Sequence, residues 1–181
     1  MTTPPGPHPS IGRPGDVEVP AYYREYVRDA DGGDLVRALH KASDDVWSTV
    51  YHIAPGAADM RYAPDKWSIK EIFQHLIDAE RIFCYRALRF SRNDDTALEG
   101  FDENTYVPEA KVERRGLHQL LREHDAVRAS TIELFRSFDD DMLRRMGTAN
   151  GERISVRALG WVIAGHAMHH MRVVRERYLH R

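Results

Sequence analysis

The sequence has little cysteine, no long apolar run and no excess of charge of either sign. Its 181 residues include a single cysteine, Cys84, which excludes an intramolecular disulfide and a cysteine-rich zinc site. No stretch approaches the roughly 18–20 apolar residues that a membrane-spanning helix needs. The formal net charge is −2 at pH 7, whereas a general nucleic-acid-binding protein carries a strongly basic surface. We therefore expect neither a membrane nor nucleic acid as a partner.

The first twenty residues differ in composition from the rest. Residues 1–20 hold six of the nine prolines, which predicts a disordered or loosely packed arm. They lack the apolar centre of a signal peptide, so the cytoplasm is the expected location. Residues 21–181 show no internal repeat and are long enough to form one domain with its own hydrophobic core.

Four long amphipathic patterns predict helices in the remaining chain. They extend from about Asp34 to Ile53, from Ser68 to Arg92, from Val112 to Phe138, and from Ser155 to the C-terminus. Ser68 and Glu71 have the spacing of a capping box at the start of the second helix. We predict a turn over Thr148–Glu152 and no strand. Four helices of about twenty residues indicate an all-α protein folded as a four-helix bundle.

Histidine is the residue in excess, with ten copies. His166 and His170 lie near the centre of the apolar face of the last helix, one turn apart, a spacing that lets two rings bind one ion. His75 lies on the flank of the second helix beside Arg86, which is a candidate for the wall of the same site. His169 lies at the edge of the last helix's apolar face. Two histidines from one helix and one from another predict a metal site in the bundle core. The spacing alone is equally compatible with hydrogen-bonded core histidines.

Other polar residues on apolar faces have competing interpretations. His124, on the third helix, is either a fourth ligand or a buried structural histidine. Cys84 lies about 180° around the helix from His75, so we expect it to stay outside the metal site. Glu80 and Arg128 also fall on apolar faces. We predict that they find polar partners, with each other as one option, because an unpaired buried charge is costly.

Several stretches together resemble the DinB-like (damage-inducible) proteins, also called YfiT-like metalloenzymes. The matching stretches are Tyr62–Glu71, His75–Phe83, Tyr85–Arg89, Gly100–Asn104, Gly147–Thr148, Ser155–Leu159 and Ala164–His170. The resemblance covers roughly residues 30–178. It implies a four-helix bundle with an unusual connection order, a homodimer, and a divalent metal on positions that match His75, His166 and His170. It also implies that His169 lies beside the ligands or lines the pocket.

The resemblance leaves the reaction open, because relatives include thiol S-transferases and isomerases that use bacillithiol or mycothiol. Our leading expectation is a metal-dependent enzyme that activates a low-molecular-weight thiol for transfer to a small-molecule substrate. One alternative is a hydrolase in which the metal activates water, with Asp78, Asp102 or Glu103 as the base. Another is a non-enzymatic metal-binding stress-response protein. Zinc or nickel is the expected ion, followed by iron or manganese, since imidazole ligands suit several of these metals.

Overall fold

The computed structural model describes residues 10–179, which form seven α-helices and a two-stranded antiparallel sheet. The elements are α1 (Arg24–Asp29), α2 (Leu35–Tyr51), α3 (Ile69–Ser91), α4 (Glu103–Glu109), α5 (Leu117–Arg136), α6 (Asp140–Arg144), β1 (Met146–Ala149), β2 (Glu152–Ser155) and α7 (Val156–Val174). A π-helical turn over Arg175–Leu179 follows α7. Over the described part of the chain, no helix is both long and apolar enough to span a membrane.

The four long helices α2, α3, α5 and α7 form the bundle. α2 packs against α7 and α5, and α3 packs against the same two helices. The first two long helices, α2 and α3, therefore lie diagonally across the bundle. The last two, α5 and α7, form the other diagonal pair. This order places α3 beside α7, which brings His75 to the helix that carries His166 and His170.

Side-chain caps fix where three of the long helices begin. The Asp34 carboxylate accepts hydrogen bonds from the first amides of α2. The predicted capping box at α3 is present, because the Glu71 amide donates to Ser68 Oγ and the Ser68 amide donates to Glu71 Oε2. Ser155 Oγ accepts from the Ala158 amide at the start of α7. The α3 and α7 boundaries that position the histidines are thus set by local sequence signals.

The third long helix begins later than predicted. Val112–Arg114 forms a separate 3₁₀ turn after Lys111, whose backbone is left-handed with φ 50°. α5 begins at Leu117, where Gln119 Oε1 accepts from the Gly116 amide at 2.8 Å. The apolar periodicity extends back to Val112, but the extended backbones of Arg115 and Gly116 separate the 3₁₀ turn from α5.

The prediction of no strand is wrong at residues 146–155, where a short hairpin joins α6 to α7. β1 and β2 pair in register from Met146 with Ser155 to Ala149 with Glu152. The two turn residues, Asn150 and Gly151, both have left-handed backbones, with φ 53° and 75°. This is the conformation of the tight two-residue hairpin turn that Asn-Gly favours.

The predicted loose arm over residues 1–20 divides into two parts. Residues 1–9 lie outside the described residues. Residues 10–20, in contrast, pack against the domain: Ile11 is buried, and the Trp161 indole donates to the Gly12 carbonyl at 3.0 Å. Arg13 donates to the Val27 carbonyl and stacks over Trp161. This segment closes over the N-terminal half of α7 despite its high proline content.

Candidate metal centre

Three histidine rings converge between α3 and α7. Nε2 of His166 lies 3.0 Å from Nε2 of His75 and 3.1 Å from Nε2 of His170. One nitrogen from each ring lies within 4.8 Å of the others, which makes this the one such His, Cys, Asp or Glu group found among residues 10–179. His75 and His166 are buried. The structure therefore brings together the three residues that the sequence singled out.

Close helix packing holds this cluster in place. His166 and His170 project from the same face of α7, one turn apart. Next to them, Gly165 lets the α1 backbone approach α7, since a Cβ at this position would overlap the carbonyl oxygen of Tyr26. The Tyr26 ring then packs edge-on against His166 and His169, with ring centroids 5.3 Å apart in each pair. α1 thus forms a wall of the site.

The environment of the cluster keeps its rings neutral. Burial lowers the pKa of His75 from 6.5 to about 4. Burial, together with His75 and His169, lowers the pKa of His170 to about 3. Burial and the neighbouring histidines likewise hold the pKa of His166 well below its ordinary value. Neutral imidazole is the form that binds metals, so these rings need no deprotonation at neutral pH.

The nitrogen contacts fit a shared ion better than they fit each other. A neutral ring nitrogen carries either one proton or one lone pair, so it forms one full-strength hydrogen bond. Nε2 of His166 nevertheless contacts two other Nε2 atoms, and it can satisfy only one of them. Separations of 3.0 and 3.1 Å suit imidazoles that share one ion with bonds of about 2.0–2.1 Å. The three-nitrogen donor set therefore fits a divalent metal.

The histidines line a cavity of about 270 Å³ with mainly aromatic walls. Its aromatic lining consists of Tyr22, Tyr23, Tyr26, Trp67, Phe83 and Phe101. The polar residues that open onto it besides the histidines are Arg86, Glu103 and Asn150. Burial raises the pKa of Tyr26 to about 12, and the neighbouring tyrosines and Glu103 add to this shift. The cavity is thus suited to a small molecule that has an apolar or aromatic part.

A second cavity, of about 300 Å³, reaches the cluster from another direction. His170 and Trp67 belong to the walls of both cavities. His169 lines the second cavity only, and its Nδ1 lies 3.2 Å from an Arg172 guanidinium nitrogen. Burial and Arg172 lower the pKa of His169. His169 therefore lies beside the ligand cluster without joining it.

Three of the candidate residues lie away from the cluster. Asp78 accepts from the Gln74 amide at 2.9 Å and lines a separate groove between α3 and α4, where burial raises its pKa. Asp102 is exposed and caps α4 by accepting from the Asn104 amide. His124 is fully buried in α5, and its pKa is lowered by burial and by Arg128. His124 is thus a core residue rather than a fourth ligand.

The cysteine also lies outside the site, as its helical position predicted. Cys84 Sγ lies 3.2 Å from Thr131 Oγ1, against α5. Burial raises the pKa of the Cys84 thiol to about 12. A protonated thiol facing another helix has neither the charge state nor the position of a metal ligand or nucleophile.

Sequence reasoning missed most of the cavity wall. Tyr22, Tyr23 and Tyr26 are not among the predicted site residues, and Asn150 belongs only to the predicted turn over Thr148–Glu152. They reach the site only because α1 packs on α7 and because the hairpin folds back toward α3. An Asn-Gly pair does predict a tight hairpin, so the position of Asn150 at its tip had a local signal.

Comparisons with known proteins agree with this architecture. A family model described as the DinB superfamily matches residues 29–174. Among solved structures, YfiT from Bacillus subtilis has a TM-score of 0.69 at 16% sequence identity, and the match covers 90% of this chain and 89% of that chain. That structure is described as a probable metal-dependent hydrolase with an unusual four-helix bundle topology. A search of curated proteins finds no match. The predicted four-helix bundle is confirmed.

Proposed function

This chain belongs to the DinB superfamily, and on that basis we propose that it is a metal-dependent enzyme acting on a small molecule. The observation that carries the proposal is the convergence of three neutral imidazole nitrogens in the wall of a cavity. His75, His166 and His170 would hold the ion. Three ligands are typical of catalytic sites, which keep a position open, whereas structural zinc sites are closed by four.

We propose thiol S-transfer as the reaction. A divalent ion on three imidazoles would lower the pKa of a thiol that binds it. The thiol proton would leave to water, the thiolate sulfur would form a bond to an electrophilic carbon, and the leaving group would depart with the electron pair. Cys84 lines neither of the two cavities, so the sulfur would come from a low-molecular-weight thiol.

The two cavities support a reaction with two organic substrates. Both reach His170 and Trp67, and one of them is mainly aromatic while the other is lined by Asp65, Lys66, Asn104 and His169 among its polar residues. A thiol and an electrophile could therefore approach the same centre from different sides. The aromatic residues of the first cavity would exclude water from the reacting atoms.

Hydrolysis is the second candidate, and Glu103 is the observation that favours it. Among the three carboxylates considered as a general base, Glu103 lines the histidine cavity, whereas Asp78 and Asp102 do not. A carboxylate at this position could accept a proton from an attacking water. S-transfer does not need that base, because a thiolate forms more readily than hydroxide.

An assay of the metal-loaded protein separates these candidates. With a model electrophile, S-transfer predicts turnover that requires both the metal and added bacillithiol or mycothiol. Glu103→Gln should not lower this rate, and exposed His118→Ala serves as the folded control. Hydrolysis without thiol, lost in Glu103→Gln, would favour the second candidate. Neither activity, with melting still sensitive to a chelator, would favour a non-enzymatic metal-binding protein.

We also propose that the protein forms a homodimer and that it is located in the cytoplasm. Exposed apolar side chains on α3 and α4, namely Tyr85, Leu88 and Tyr106, offer a surface that a second copy could cover. Light scattering on the purified protein tests the dimer, and a mass of 20.9 kDa would contradict it. Fractionation of the source cells tests the location.

A further inference from the structure

We propose that Arg86 binds an oxyanion, a carboxylate or a phosphate, on the small molecule that reacts at the histidine cluster. The inference rests on the proposed function for the reaction, but the binding it describes can be measured without turnover. It names a substrate class: a small molecule with an apolar or aromatic body and one anionic group.

The missing partner of Arg86 is the first observation. Three lysine and arginine side chains of the described chain are buried: Lys70, Arg86 and Arg128. Lys70 pairs with Asp59 at 2.6 Å and Arg128 with Glu80 at 2.9 Å. Arg86 is 3% exposed and forms no ion pair within residues 10–179. A buried charge is costly without a counterion, so the structure leaves a place for one.

The contacts of Arg86 hold the guanidinium without neutralising it. One guanidinium nitrogen donates to the Glu99 carbonyl at 3.1 Å. The group also lies near the Tyr23 hydroxyl, where it partly offsets the effect of burial, which raises the pKa of Tyr23. Both partners are uncharged, and they leave part of the five-donor fork of the guanidinium open to the cavity. A fork held in this way matches the two oxygens of a carboxylate or phosphate.

The position of Arg86 fits a ligand that spans the cavity. His75, Ala79, Phe83 and Arg86 line the cavity from one face of α3. The Phe83 ring lies between the two ends, with its centroid 6.1 Å from that of His166 and 5.9 Å from the Arg86 guanidinium carbon. An anionic group at Arg86 would thus place an apolar body along Phe83 and direct the other end of the molecule toward the histidines.

Glu103 is the other charged side chain that lines this cavity. It lies close enough to Tyr22, Tyr23 and Tyr26 to contribute to the raised pKa of each, but it forms no ion pair with Arg86. Its negative charge opposes that of an anionic ligand. Removal of that charge should therefore strengthen anion binding, whereas removal of the Arg86 charge should weaken it.

Calorimetric titration of the full-length protein tests the inference. The probes are 3-phenylpropionate and phenyl phosphate, with 3-phenylpropanamide as the neutral analogue of the first. Titrations are run on zinc-loaded and on chelator-treated protein, because an oxyanion can also bind the metal directly. We expect the chelated protein to prefer at least one anion over the amide by about tenfold or more. The carboxylate and phosphate titrations identify which oxyanion Arg86 prefers.

Variants test whether the preference for an anion over the amide depends on Arg86. Arg86→Gln should abolish it, and Glu103→Gln should enhance it. Arg86→Lys keeps the positive charge but loses the forked guanidinium donors, so it should show a reduced anion preference. This variant replaces Arg86→Gln in the test if Arg86→Gln does not fold. Arg81→Gln is the matched control, since Arg81 is a half-exposed arginine of the same helix that pairs with Glu123. It should bind like the wild type.

Three results would overturn the inference. They are equal binding of amide and anions by the wild type, no binding of any probe, and an anion preference that persists in folded Arg86→Gln. Failure of the proposed function is distinguishable. If the protein binds no metal and turns over no substrate, yet its chelated form prefers anions through Arg86, the inference stands alone.

Discussion

Two buried polar clusters contain residues of α3, and they differ in whether their polar atoms find all their partners within the cluster. The Glu80 carboxylate and the Arg128 guanidinium form two parallel hydrogen bonds of 2.9 Å. Thr131 donates to Glu80 at 2.7 Å, and Arg128 also donates to the Leu39 carbonyl. Five residues earlier on α3, His75 belongs to a cluster in which one nitrogen contacts two others that it cannot both satisfy.

The difference separates a structural cluster from a candidate functional one. Burial raises the pKa of Glu80, but Arg128 and Thr131 outweigh burial, so the net pKa is lowered and the carboxylate stays charged. The histidines have no such compensation and become neutral, facing a cavity. A cluster with all partners present needs nothing further, whereas a neutral, incompletely paired cluster beside a cavity is suited to bind something.

The largest loss of stability should follow from removing one partner of the Glu80–Arg128 pair. Arg128→Met should destabilise the protein by about 3–5 kcal/mol, because it leaves the Glu80 charge buried without a partner. The double variant Glu80→Leu/Arg128→Met should regain most of this loss. His170→Ala in metal-free protein should cost less than Arg128→Met, because the rings left behind are neutral. Urea unfolding measures all three, and equal losses for Arg128→Met and His170→Ala would contradict the comparison.

The next-largest effect should appear in how the stability of metal-free protein depends on pH, because the two clusters titrate in different ranges. The unfolded chain binds a proton at His75 below pH 6.5, whereas the folded chain binds it only near pH 4, so stability should fall as the pH drops through this window. The shift corresponds to about 3 kcal/mol for this ring. The lowered pKa of Glu80 acts the same way only below its ordinary value of 4.5.

Urea unfolding between pH 7 and pH 4 tests whether the histidine effect on stability begins at a higher pH than the Glu80 effect. Loss of stability should begin near pH 6.5 in the wild type. His75→Gln should make the profile less steep below that pH, because glutamine does not titrate whereas His166 and His170 still contribute. A wild-type profile that stays flat down to pH 4.5 would show that the histidine rings are not held neutral by burial.

A smaller effect should come from the wall of the histidine site. Gly165→Ala places a Cβ against the Tyr26 carbonyl, and α1 must shift because a backbone atom cannot rotate away. Overpacking costs about 1–3 kcal/mol, of which alanine regains about 1 kcal/mol in helix propensity. Thermal unfolding should therefore show a modest net loss. Gly33→Ala, with no atom near the added Cβ, is the control, and a Gly165→Ala variant as stable as that control would contradict the packing.

The sequence predicted the members of both clusters but not all of their surroundings. Helical projection placed His166 and His170 on the apolar face of the last helix and His75 on the flank of the second. It also singled out Glu80 and Arg128 as buried charges that need partners, and the structure pairs these two. These features depend on positions within single helices. Because α3 is buried on most of its circumference, the same projection could not tell which groove Asp78 would face.

The rest of the cavity depends on contacts between distant segments. Tyr26 lies at the site because α1 crosses α7 at Gly165, and nothing local in either segment specifies that crossing. His124 was expected on an inward face, and its side of the bundle was decided by the diagonal order of the long helices. The hairpin, in contrast, had a local signal in Asn150-Gly151, which the sequence analysis assigned to a turn without the strands on either side.

Measurement of bound metal shows whether the three histidines form a metal site. Protein purified and then dialysed against zinc or nickel is analysed for bound ion, with exposed His118→Ala as the control. We expect one divalent ion per chain in the wild type and the control. We expect none in a His166→Ala/His170→Ala variant that keeps its helical circular dichroism. A wild type without bound ion, or a folded double variant with the same ion content, would contradict the proposed metal site.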